Sequence, residues 1–151
     1  DQRVGRGAPE ARRGARVVSR RVAVRLLLDT CTFLWIAAGS DELSEPARAA
    51  YADPSNEVFL SAVSAWEIAM KNVLGKLPLP EAPLRYVPAV RARHGISPLA
   101  LEEDAALHLP KLPALHRDPF DRMLVCQAIA HGLEIVTPDP AIAQYPIRTL
   151  W

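Results

Sequence analysis

Five carboxylates in this 151-residue chain are spaced so that a fold could bring them together: Asp29, Glu67, Asp118, Asp121 and Asp139. Asp118 and Asp121 flank a proline in His116-Arg117-Asp118-Pro119-Phe120-Asp121-Arg122, immediately before an apolar helical pattern. Asp139 follows in Val136-Thr137-Pro138-Asp139-Pro140, one helix and one strand later. Asp29 closes the apolar run 22–28, and Glu67 lies in a helical stretch beside Trp66. Converging carboxylates repel unless a divalent cation neutralises them. Mg²⁺ suits carboxylate and water ligands and leaves positions for phosphate oxygens. The matching chemistry is metal-assisted phosphodiester hydrolysis, in which the ion acidifies a water and stabilises charge on the scissile phosphate.

Each acid also has a plainer reading. Asp118 before Pro119 makes a good N-cap with proline at N1, and Asp121 then falls at N3, where the helix dipole favours an anion. Asp139-Pro140 repeats that arrangement. Glu67 reads as a rim glutamate or as the partner of an arginine, and His116 and Arg117 read as solvated loop residues. Capping explains any one aspartate. It does not explain all of them together with a glutamate on an apolar stripe, where an unpaired carboxylate is costly.

The elements that must position these groups follow from periodicity and punctuation. Strands are expected at 22–28, 57–61, 96–101, 133–137 and 147–150. Helices are expected at 32–38, 44–52 with Ser44 as N-cap, 64–74, 84–93, 102–109, 119–131 and 140–144, with a loop at 110–115. In the 64–74 helix, Val63, Trp66, Met70 and Leu74 form one apolar face that also carries Glu67. Alternating strands and helices imply an α/β fold with a doubly wound parallel sheet. Asp29, Asp121 and Asp139 all fall just past a strand or at a helix opening, the edge where such sheets bind ligands.

Charge is unevenly distributed. Residues 1–25 hold eight arginines against Asp1 and Glu10, a net +6; the whole chain carries +1, so residues 26–151 carry −5. Residues 1–21, rich in Arg, Gly and Ala, are expected to be disordered because they cannot bury enough surface to offset ordering entropy. Two cysteines are too few for a disulfide framework, and Cys126 reads as a small buried hydrophobe, which fits a reducing cytoplasm. No apolar run approaches the roughly 20 residues of a membrane span. Asp29-Thr30-Cys31-Thr32 lacks the second aspartate of a haloacid-dehalogenase-type phosphatase loop, and no glycine-rich phosphate loop is present.

Four segments in order resemble the PIN-domain ribonucleases, specifically the VapC-type toxins of bacterial toxin–antitoxin pairs. They are Leu27-Leu28-Asp29-Thr30 with Phe33-Leu34-Trp35; residues 61–68 with Lys71 and Gly75-Lys76-Leu77; residues 116–122; and Val136-Thr137-Pro138-Asp139. The resemblance covers residues 24–151. It implies a three-layer PIN-like fold, with a central, mostly parallel sheet of four to five strands and helices on both faces. It also implies a metal-dependent endoribonuclease using Mg²⁺ or Mn²⁺. Carried over by position, the acidic quartet is Asp29, Glu67, Asp121 and Asp139, with Asp118, Thr30 and Thr137 in supporting positions. Cys31 departs from the histidine that many relatives have there. The resemblance further implies an RNA substrate, a VapB-type antitoxin and a homodimer, and a start at Val24 with residues 1–23 untranslated. The alternative is a catalytically inactive PIN-like module that binds an antitoxin or RNA; loss of a quartet carboxylate would mark it, and the quartet here is complete.

Overall fold

The computed structural model describes residues 23–151, and the expectations for residues 1–22 fall outside them. The innermost strand is β1 (Arg25–Leu28), whose Leu26, Leu27 and Leu28 are fully buried. Burial of each is worth about 1.5–3 kcal/mol. Then come α1 (Thr30–Ala38), α2 (Glu45–Ala52), β2 (Glu57–Ser61), α3 (Ala62–Val73) and α4 (Pro83–His94). The chain continues through β3 (Ser97–Leu99), α5 (Glu103–Leu107), a 3₁₀ turn at Leu109–Lys111, α6 (Pro119–His131), β4 (Glu134–Val136), α7 (Pro140–Ala143) and β5 (Thr149–Leu150).

The five strands form one sheet in the order β3-β2-β1-β4-β5, and every pairing is parallel. Successive side chains of a strand point to opposite faces, and the two cores follow that alternation. Leu26, Leu28, Val58, Leu60 and Val136 pack with Phe33, Ile36, Ile68, Val87 and Val90 on one face. Leu27 and Ile135 pack with Leu124, Val125, Ala128, Ile142 and Tyr145 on the other. Helices therefore cover both faces, as a three-layer fold requires. The chain builds outward from β1 to β2 and β3, then crosses back to β4 and β5. This makes the β1–β4 boundary the topological switch point, with the C-terminal ends of both strands opening onto it.

Several elements differ in extent from the sequence expectation. Val24 is outside β1, which begins at Arg25. The expected 102–109 helix stops at Leu107, and proline-led 3₁₀ geometry takes over within the expected loop. The larger correction concerns α3. Its buried residues are Val63, Ser64, Glu67 and Ile68, whereas Trp66 and Leu74 are 63% and 59% exposed. Residue type suggested a Trp-Leu stripe; the helix instead turns a partly polar face inward, which is what a site lying beneath it demands. Gly132, at φ +65°, closes α6 in the left-handed region and turns the chain into β4.

Candidate active site

At the switch point, the Asp29 N–H donates to the carbonyl of Val136 (3.3 Å), joining the two strand ends. The Asp29 side chain caps α1: Oδ1 accepts from the Thr32 N–H at 2.8 Å. Oδ2 accepts from the Thr137 hydroxyl at 2.6 Å. The Cys31 thiol lies 3.5 and 3.6 Å from the two oxygens, and burial together with this carboxylate pushes the thiol up to about 12. The Cys31 thiol therefore keeps its proton and is a hydrogen-bond donor to Asp29. The Thr137 oxygen in turn accepts from the Asp139 N–H at 3.0 Å, while Asp139 Oδ1 caps α7 through the Ala141 N–H at 2.9 Å. One hydroxyl thus links two of the acids.

Glu67 reaches the same edge from α3. It is 6% exposed; its Oε1 accepts from the Thr30 hydroxyl at 2.7 Å and its Oε2 from Lys71 Nζ at 2.5 Å, one helical turn on. Thr30 and Thr137 thereby hold Glu67 and Asp29 respectively. Asp118 caps α6 by accepting from the Asp121 N–H at 2.9 Å, which places Asp121 at N3 as its spacing indicated. His116 Nε2 stands 3.4 Å from Asp121 Oδ2 at ion-pair distance, and its Nδ1 is 2.7 Å from the hydroxyl of buried Tyr145.

Electrostatics show that these groups share one field. The Asp121 carboxyl is raised from 3.8 to about 6, first by burial and then by Asp118, with Asp139 and Glu67 adding and His116 opposing. Lys71 is held protonated above its ordinary range by Glu67 first, with Asp118 and Asp121 contributing. A consequence can be measured in metal-free protein. Between about pH 4 and 6 the folded state binds more protons at Asp121 than the unfolded chain does. Stability associated with this group is therefore present in acid and is lost as pH rises through 6, by about 1–2 kcal/mol once solvent screening is allowed for. Urea unfolding at pH 4.5 and 7 should show that loss in the wild type and a smaller one in Asp121→Asn; equal pH dependence in both would contradict the assignment.

The donor set suits a hard divalent cation, being carboxylate and hydroxyl oxygen. Among the described residues no three Asp, Glu, His or Cys side chains are already drawn together closely enough to enclose a metal ion. The carboxylates are instead oriented by hydroxyl, amide and ammonium donors, and each ionised carboxylate offers about four lone-pair sites, so acceptor capacity remains. Crowded acids with one carboxyl pushed toward neutrality are what an added cation would relieve. Asp29, Glu67, Asp121 and Asp139 are the residues that would hold it.

Three participants were not assigned roles from the sequence. Lys71 could have been found from its i+4 spacing to Glu67. His116 was read as a solvated loop residue, but it is largely buried against Tyr145, 29 positions away, a distance no local pattern encodes. The thiol contact of Cys31 to Asp29 likewise depends on the turn geometry at the opening of α1.

Comparison with known proteins identifies the family and the fold. The family profile described as PIN domain matches residues 26–147. A relative, Ribonuclease VapC16 of Mycobacterium tuberculosis (strain ATCC 25618 / H37Rv), is 48% identical over 61 residues, which is 40% of this chain and 43% of that protein. The match thus spans less than half of the relative. In three dimensions the chain is similar to VapBC2 from Rickettsia felis bound to a promoter DNA fragment, with a TM-score of 0.63, 12% identity, and 83% and 97% of the two chains covered. It is also similar to VapBC-1 from nontypeable Haemophilus influenzae, with a TM-score of 0.55, 16% identity, and 83% and 96% covered. At such identities the likeness is one of fold.

Proposed function

The chain belongs to the PIN domain family, and from that premise we propose that it is a Mg²⁺- or Mn²⁺-dependent endoribonuclease. The observation that carries this reading is that two buried carboxylates, Asp29 and Glu67, stand at the sheet switch point with Asp121, whose carboxyl is raised first by burial and then by its acidic neighbours. The cation, when bound, supplies charge neutralisation at the scissile phosphate and acidifies the attacking water.

The chain's own residues do the rest. Thr137 and Thr30 fix the rotamers of Asp29 and Glu67, so the acids are positioned before substrate arrives. Asp121 would present its carboxylate to the cation, whose charge would offset the burial and the acidic neighbours that raise this carboxyl in the metal-free protein. His116, held by Tyr145, keeps Oδ2 of that carboxyl in place. Lys71 sets a positive charge beside Glu67, where a phosphate oxygen must approach an otherwise acidic surface.

We also propose a toxin role, with a VapB-type antitoxin as partner and a homodimer as the working form. The similarity to Ribonuclease VapC16 and to the VapBC assemblies supports this. An acidic pocket favours a partner that presents Arg or Lys to it.

The test is cleavage of labelled single-stranded RNA by the full chain in Mg²⁺, Mn²⁺ and EDTA. Internal cleavage in either metal, abolished by EDTA, is expected. A folded, metal-loaded protein that cuts no RNA would move the assignment to a non-catalytic module that binds an antitoxin or RNA.

A further inference from the structure

Beside the turn that carries Asp118 and Asp121 lies a small, mostly apolar cavity bordered by one indole and two guanidiniums. Its volume is about 210 Å³, and Trp66, Arg117, Arg122, Met123 and Leu101 are among the residues that line it. It shares the 117–122 turn with the acids: Arg117 and Arg122 lie on either side of Asp118 and Asp121 in sequence, and Trp66 immediately precedes Glu67. The indole packs against Phe120 in a T-shaped contact, ring centroids 5.0 Å apart, yet stays 63% exposed. Large aromatic surface left open in this way calls for a partner. Among the described residues neither arginine has a carboxylate within ion-pair distance, and Arg122 Nε is buried without a hydrogen-bond partner. Arg25, Arg48, Lys71 and Arg148 each lie within ion-pair distance of an acid, whereas among the described residues these two guanidiniums beside the site do not.

We propose that this cavity is a nucleobase-stacking subsite for single-stranded RNA, in which an unpaired base lies against Trp66 and its backbone phosphate meets Arg122 and Arg117. The inference rests on the nuclease reading and deepens it. Aromatic faces and arginine planes are the surfaces on which unstacked RNA bases are bound. The cavity is smaller than the roughly 300–1,000 Å³ of drug-sized ligand clefts, which leaves room for one planar ring system. Charge decides between occupants: an apolar protein surface would leave two guanidiniums uncompensated at the contact, whereas a nucleotide supplies both the π-face and the anion. Residues 26–151 carry a net charge of −5, so a polyanion needs such a cationic foothold to approach the acids at all.

The experiment is fluorescence anisotropy of labelled single-stranded RNA on the full chain in EDTA, so that binding is read without cleavage. Trp66→Ala should weaken binding at least about fivefold and Trp66→Phe much less, as expected for loss and retention of one stacked base. Arg122→Gln should weaken it and flatten its salt dependence. An oligonucleotide with abasic residues should bind wild type as weakly as intact RNA binds Trp66→Ala. Wild-type binding that Trp66→Ala leaves unchanged would overturn the subsite while leaving the nuclease reading intact. A Trp66→Ala protein that loses self-association by sedimentation, with RNA affinity per protomer unchanged, would overturn it in favour of an interface between copies. Wild type that binds no RNA in EDTA would overturn the subsite, while the nuclease reading stands or falls on cleavage by the metal-loaded protein.

Discussion

Asp29→Asn should abolish metal-dependent RNA cleavage, by about a hundredfold or more, in a protein that still folds. The asparagine carbonyl can still accept the Thr32 N–H that caps α1, and the Thr137 hydroxyl can rotate to accept from the new amide. Only the negative charge, which the proposed cation would face, is lost. Asp29→Ala is a different lesion. It removes the cap as well, costing about 1 kcal/mol, and leaves Thr137 without its acceptor, so its activity loss would be confounded with instability. Circular dichroism and thermal unfolding of the two variants beside the wild type separate the cases. Asp29→Asn with wild-type cleavage would remove Asp29 from the site.

The second large effect belongs to a residue with no charge. Thr137→Val keeps shape but deletes the hydroxyl that donates to Asp29 Oδ2 and accepts from the Asp139 N–H. Losing one partner of a buried hydrogen bond costs about 1–3 kcal/mol. Loss of an outer partner that orients a ligating carboxylate typically costs about 10–100-fold in metal affinity or activity. Thr137→Ser, which restores the hydroxyl, should recover most of both. A valine variant as active as wild type would mean that the 2.6 Å bond is structural only.

How far this was legible in the sequence differs by residue. Asp29, Asp121 and Asp139 could be placed at the sheet edge because strand ends and helix caps have local signatures: an apolar run ending in Asp-Thr, and Asp-Pro before a helix. Those same signatures also read as helix caps, and the structure shows the capping: Asp29 and Asp139 cap α1 and α7, and the Thr137 hydroxyl joins the Asp29 side chain to the Asp139 backbone. Trp66 went the other way. Helical spacing made it a core residue, but spacing identifies a shared face and not which way that face turns. The sheet lies beneath Ser64, Glu67 and Ile68, and the indole is left outside. His116 and Tyr145 meet across 29 positions through the packing of α6 against α7, a tertiary contact without a local pattern. The parallel α/β sheet followed from alternation of elements; the strand order did not, and neither did the short extents of β3 and β5, because pairing with only one neighbour at the sheet edge ends those strands earlier than residue preference suggests.

The central claim is that acids from four separate elements serve one metal site and one reaction. The most direct measurement is a Mn²⁺ titration of the full chain by electron paramagnetic resonance or calorimetry, with RNA cleavage followed on the same preparations. Saturable binding is expected in the wild type, weakened at least about tenfold in each of Asp29→Asn, Glu67→Gln, Asp121→Asn and Asp139→Asn, with cleavage falling in parallel. Folded variants that bind Mn²⁺ as the wild type does, or cleavage that persists when no Mn²⁺ or Mg²⁺ is bound, would contradict it.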